Sequence, residues 1–209
     1  MKCIFTTSEK IKKIEKIETK GMKTIYTNRI REDMRGLKAG EEAYLSGVVY
    51  TARDAAHKKL AEMIEKNLPA PFEIRDSAVY YAGPTPAPKT NPKNLAAGSC
   101  GPTTSKRMDI YTPALLKLGL ACMIGKGPRG ALVCEAMKKF GAVYLCAVGG
   151  AGAIYANCIK SVRTVAFEEL GCEAVKALEI EKFPVYMAFD IWGNSIFAQI
   201  ESGERSKSK

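Results

Sequence analysis

Three short apolar runs in this chain are each cut off by glycine at the carboxyl end, and that pattern narrows the fold more than any other feature. Residues 77–82 run into Gly83-Pro84, residues 120–124 into Gly125-Lys126-Gly127, and residues 142–148 into Gly149-Gly150-Ala151-Gly152. Short runs rich in Val, Tyr, Leu and Ile and closed by turn residues read as strands. A fourth run, residues 43–51, delivers Arg53 at its carboxyl end. Between these runs lie two helical patterns: one opens at Arg53-Asp54-Ala55-Ala56-His57, carries Leu60, Met63, Ile64 and Leu68, and stops at Pro69 and Pro71. The other covers residues 129–140 and closes on Gly141. Strands alternating with helices specify an α/β fold, in which ligands gather at the carboxyl ends of strands.

The stretch Gly98-Ser99-Cys100-Gly101-Pro102-Thr103-Thr104-Ser105-Lys106-Arg107-Met108-Asp109 joins a glycine-rich turn to hydroxyls and a cation. Its pattern predicts a helix over 108–118, with Thr103, Thr104 and Ser105 as capping residues. An anion placed there meets free backbone donors, a positive helix end and Arg107. An ordinary cap with a surface arginine is the plainer alternative. Lys126, held between two glycines at a strand end, is either presented to a ligand or part of a surface turn.

The 209 residues are enough for one domain, assigned to 1–202, with a disordered basic tail over 203–209. No apolar run reaches the roughly 20 residues that span a membrane, and the amino terminus lacks a signal-peptide core, which places the chain in the cytoplasm. The net charge of +10 favours small anions or an acidic partner. Aromatic residues make up only 8%, and no recognition motif accompanies the scattered lysines, so nucleic acid is not expected as a partner. Seven cysteines include Cys122, Cys134, Cys146 and Cys158 at regular spacing inside apolar segments. No pair has the short spacing of a zinc or ferredoxin-type site, so they read as small buried hydrophobes and no metal ligands are assigned.

The remaining segments are less decided. Residues 10–20 fit a helix or strands, while 24–27 and Ile30 favour strands. Gly149-Gly150-Ala151-Gly152 reads as a turn, because its spacing falls short of a dinucleotide fingerprint. Residues 161–168 read as a strand, 173–181 stay ambiguous, and 185–190 pair with 195–200 in a hairpin across Trp192-Gly193-Asn194.

Four segments stand together in order: Ala52-Arg53-Asp54-Ala55-Ala56-His57, Tyr80-Tyr81-Ala82-Gly83-Pro84-Thr85-Pro86-Ala87, Gly101-Pro102-Thr103-Thr104-Ser105-Lys106-Arg107-Met108-Asp109, and Met123-Ile124-Gly125-Lys126-Gly127. Jointly they closely resemble the beta subunit, or carboxyl-terminal domain, of class I iron–sulfur fumarate hydratases and the related L-tartrate dehydratases. The resemblance covers residues 37–200. It implies a single swivelling β/β/α three-layer domain that closes over a 4Fe-4S cluster held by a separate alpha subunit, with the pair forming a heterodimer or heterotetramer. It also implies that Arg53, Arg107 and Lys126 bind the carboxylates of a small dicarboxylate, and that Thr103 and Lys126 are catalytic, with His57, Thr104 and Gly125 in support. Ser105-Lys106 departs from the small residues associated with this part of the motif, which bears on substrate choice. Two other readings remain at this stage: a stand-alone anion or nucleic-acid binding module, and a nucleophilic enzyme using Cys100 with His57.

Overall fold

The computed structural model describes residues 22–90 and 95–201; the expectations for residues 10–20 and 203–209 lie outside the described residues. Its seven strands are β1 (Lys23–Tyr26), β2 (Glu42–Thr51), β3 (Ala78–Tyr80), β4 (Cys122–Gly125), β5 (Val143–Cys146), β6 (Ile159–Ala166) and β7 (Val175–Phe189). They form one sheet in the order β1-β2-β3-β4-β5-β7-β6. The first five run parallel, and β7 is antiparallel to β5, β6 and β2. Because β7 returns to pair with β2 from Glu42↔Tyr186 to Thr51↔Lys176, the sheet closes on itself in a small barrel-like arrangement. The fold is thus mixed α/β, as the alternation of elements predicts.

The strand faces explain the near-continuous apolar runs. Along β3, Ala78 and Tyr80 point into one core, which they share with Ile124, Leu145, Leu178 and Phe183. Val79 and Tyr81 point into a second core with Met123, Tyr144, Leu115 and Met137. Successive strand side chains face opposite sides, so a strand buried on both faces shows no polar alternation. The second core is covered by α2 (Asp54–Glu65), α3 (Thr112–Lys117) and α4 (Ala131–Phe140), through Ala56, Leu60, Leu115, Leu116, Val133 and Met137. The other helices α1 (Ile30–Met34), α5 (Gly152–Asn157) and α6 (Ile196–Glu201) lie in connections between or after strands. Gly141 ends α4 in the left-handed region at φ 63°, the conformation expected of a glycine at a helix stop.

Several expectations are corrected by the structure. The helix expected over 108–118 is instead a 3-10 turn, Ser105–Met108, followed by α3. The turn has no side-chain cap, and Pro113 sits in the first turn of α3, where the missing N–H of proline does no harm. Ile30 opens α1 and is not in a strand. Of the ambiguous 173–181 region, residues 175–181 belong to the 15-residue β7, whose pairing to β2 and β6 overrides its weak local pattern, while Glu173 ends a 3-10 turn. The hairpin expected over 185–200 is reduced to a single bridge, Phe189↔Ser195, after which the chain turns helical. Asp190 explains the turn: its carboxylate accepts the backbone N–H groups of Trp192 and Asn194 at 3.0 and 2.9 Å. Among the described cysteines Cys100 and Cys122 are buried, but Cys172 is exposed and the other three are half-buried. No helix among the described residues is long and apolar enough to cross a membrane.

Candidate active site

Strand register brings the sequence motifs together. Thr51, Tyr80, Ile124 and Leu145 are partners across β2, β3, β4 and β5, so these four parallel strands reach their carboxyl ends at one level. Arg53, Tyr81 and Lys126 follow within one or two residues of that level. Segment 103–105 then fills the gap beyond β3 and β4. The Thr103 N–H donates to the Tyr81 carbonyl at 2.7 Å, Thr104 bridges Lys126 in parallel, and the Ser105 N–H donates to the Lys126 carbonyl at 3.0 Å. Thr103 is therefore held as an added piece of sheet and caps no helix.

Arg107 lies one turn on and reaches back, donating through one Nη to the Thr103 hydroxyl. The same nitrogen is 3.4 Å from the Asp54 carboxylate at the start of α2. A guanidinium on the threonine oxygen favours any negative charge that develops there. Arg53, at the α2 amino end, pairs with Glu173 at 3.2 Å, and a second oxygen of Glu173 accepts the Ala55 N–H at 3.2 Å. The Arg53 Nε–H is buried without a partner in the described structure. Among the described residues, the Lys126 ammonium has no carboxylate partner, and its stem passes Gly149, where a Cβ would sit 3.5 Å from Cδ. The arrangement places three cations and one hydroxyl at the carboxyl edge of the sheet. The Arg107 side chain is 50% exposed, so the cluster lies on an open face.

His57 does not join this face. It is 1% exposed, with Nδ1 3.0 Å from the Arg53 carbonyl and its ring edge-on to Tyr81 at 5.2 Å. The helix turns His57 into the core, where it holds the Arg53 backbone. Burial, only partly offset by the hydrogen bond to Arg53, lowers its pKa from 6.5 to about 4. The folded chain thus keeps His57 neutral while the unfolded chain protonates it as pH falls, so folding stability declines between pH about 6.5 and about 4. The loss attributable to this group is about 3 kcal/mol across that window. Urea unfolding at pH 7 and pH 4.5 should show the drop in the wild-type chain and a smaller one in His57→Gln.

Cys100 sits in the barrel-interior core with its thiol pushed up to about 12 by burial, and His57 packs against the outer one, so the structure brings no thiolate–imidazole pair together. Among the described residues no three His, Cys, Asp or Glu side chains cluster to hold a metal, so these residues do not fit a 4Fe-4S site. Gly125 leaves no room for a side chain, since a Cβ there would lie 2.0 Å from Ser105 Oγ and 2.9 Å from Tyr81.

Sequence reasoning missed Arg129, the buried cation beneath the loops that carry Arg107 and Lys126. Arg129 is 1% exposed, donates to Asp109 at 2.7 Å, Thr112 at 2.8 Å and the Tyr81 hydroxyl at 3.2 Å, and stands over the rings of Tyr81 and Tyr144 at 5.2 Å each. Burial works against its charge, yet Tyr81 and Asp109 outweigh that and raise its pKa further. Asp109 also accepts the Gly130 N–H at 2.7 Å, tying the end of the Arg107 turn to the loop after Lys126. The Asp109 in the motif was the one visible hint. Of the motif's departure, Ser105 is fully buried and Lys106 is exposed.

A family model described as Fumarase C-terminus matches residues 4–200. A Methanocaldococcus jannaschii protein provisionally named L(+)-tartrate dehydratase subunit beta is 39% identical over 183 residues, 86% of this chain and 93% of its own. Fumarate hydratase 2 of Leishmania major is 39% identical over 174 residues, 82% of this chain and 30% of its own length. The aerobic class I fumarate hydratase of Escherichia coli K12 is 42% identical over 159 residues, 75% of this chain and 28% of its own. The chain thus spans nearly all of the first relative and less than a third of the other two, and it belongs to the fumarase C-terminus family.

Proposed function

We propose that this chain is the beta subunit of a two-chain hydro-lyase that interconverts malate and fumarate. What supports this reading is that Arg53 and Lys126 follow the in-register ends of parallel strands, with Arg107 on the Thr103 hydroxyl in the segment bonded to Tyr81 and Lys126, in a chain that belongs to the fumarase C-terminus family. A four-carbon diacid needs cations at both ends, and removing water from malate breaks a C–H bond on one carbon and a C–O bond on the next. Arg53, Arg107 and Lys126 bind the carboxylates and stabilise the charge that builds on the carboxylate beside the carbanionic carbon. Thr103, as an alkoxide paired with Arg107, takes the proton from carbon; in the hydration direction its hydroxyl returns it. His57 stays neutral below Arg53 and orients it. The 4Fe-4S cluster belongs, in this reading, to an alpha partner and would supply the Lewis acid that receives the departing hydroxide, while the domain swivels to close the open face and exclude water.

A second substrate, L-tartrate, is favoured by one observation: the relative matched over nearly its full length carries a tartrate dehydratase subunit name. The test is anaerobic reconstitution of the chain with its cluster-loaded alpha subunit, followed by steady-state assays with malate, fumarate and both tartrates. Turnover of malate and fumarate at the highest kcat/KM is the expected result. Tartrate turnover alone would reassign the substrate, and turnover by the isolated chain would overturn the division of labour.

A further inference from the structure

We infer that the buried hydroxyl pair of Ser105 and Tyr144 is a positioning device that sets the place of the Lys126 ammonium. A lysine stem is long and flexible, so the position of its charge is defined only as well as its backbone. Here the backbone around Lys126 is held at three points. Ser105 Oγ accepts the Lys126 N–H at 3.1 Å, the Ser105 N–H donates to the Lys126 carbonyl at 3.0 Å, and the Tyr144 hydroxyl donates to the Gly127 carbonyl at 2.9 Å. The two hydroxyls lie 2.8 Å apart. Proton accounting makes them interdependent: Tyr144 spends its one proton on Gly127, so Ser105 must donate to the Tyr144 oxygen while accepting from Lys126. Burial raises the Tyr144 pKa, which keeps it a donor, and Arg129 over its ring fixes the plane of the phenol.

Neither hydroxyl reaches the open face, since both residues are fully buried. They act through Lys126 and are not catalytic residues. The absence of a side chain at Gly125 belongs to the same device, because it lets Ser105 Oγ come this close to the strand end.

Amide hydrogen exchange on the full chain tests the device without any activity. In Tyr144→Phe the Lys126 amide should exchange about tenfold faster, while Met123 and Ile124 in β4 keep their rates. Ser105→Ala, which removes the acceptor itself, should do the same and serves if Tyr144→Phe folds poorly. An unchanged Lys126 rate in both folded variants overturns the inference. A kinetic arm rests on the hydro-lyase reading: in the reconstituted enzyme Tyr144→Phe should lower kcat/KM about tenfold, yet change nothing in a Lys126→Ala background. Equal losses in both backgrounds would mean a merely structural role and would overturn it. If the reconstituted wild type turns over no diacid, the hydro-lyase reading fails, and the exchange rates still decide for or against the device.

Discussion

Thr103→Ala in the reconstituted enzyme should lower kcat by about 10² or more while leaving the fold intact. Two observations separate the loss of a base from the loss of a structural contact. The 3-10 turn that follows Thr103 has no side-chain cap, so the destabilisation of about 1 kcal/mol that accompanies cap removal is not expected. The contact that holds Thr103 in place is made by its backbone N–H to the Tyr81 carbonyl, and alanine keeps it. The hydroxyl with its bond from Arg107 disappears, together with the γ-methyl group. Thr103→Ser, which retains the hydroxyl without the methyl group, should keep part of the activity. Thermal unfolding beside single-turnover kinetics checks both halves. A nearly active Thr103→Ala together with a dead but folded His57→Gln would transfer the proton to histidine, against its 1% exposure.

Arg107→Lys should fail despite conserving charge, losing about 2 to 4 kcal/mol of transition-state stabilisation in kcat/KM. One Nη of Arg107 already serves the Thr103 hydroxyl and lies 3.4 Å from Asp54, and the rest of the fork is left for a ligand carboxylate. A lysine ammonium is a point charge on a longer, freer stem and cannot hold both partners in the plane of a bidentate carboxylate. Arg53→Ala should behave similarly, because it leaves Glu173 as an uncompensated carboxylate at the site entrance. Lys138→Ala, on the exposed side of α4, is the control and should change nothing measurable. Near-normal kcat/KM for Arg107→Lys would remove Arg107 from the site.

Much of the placement of the candidate site residues was legible because its signals are local. Gly125-Lys126-Gly127 marks a strand end by composition, Arg53 follows a strand by one step, and Thr103 and Arg107 share one short motif. Parallel register then needed only to align four strand ends. The helix α4 and its glycine stop were likewise read from period and turn chemistry.

What tertiary structure decided are the relations that leave no local trace. β7 closes the barrel by pairing with β2 from the far end of the chain, and that pairing turned an ambiguous segment into the longest strand. Thr103 sits in sheet pairing beside Tyr81 and Lys126, where the local pattern predicted a helix cap, because the backbone carbonyls of Tyr81 and Lys126 past the ends of β3 and β4 accept the N–H groups of Thr103 and Ser105. The pairs Arg53–Glu173 and Arg129–Asp109 join residues distant in sequence, and nothing in either neighbourhood names its partner. Hydrophobic period and turn residues act over a few positions and are written into the sequence. Buried charge must find its counter-charge wherever the closed barrel brings one, and only the folded chain determines where that is.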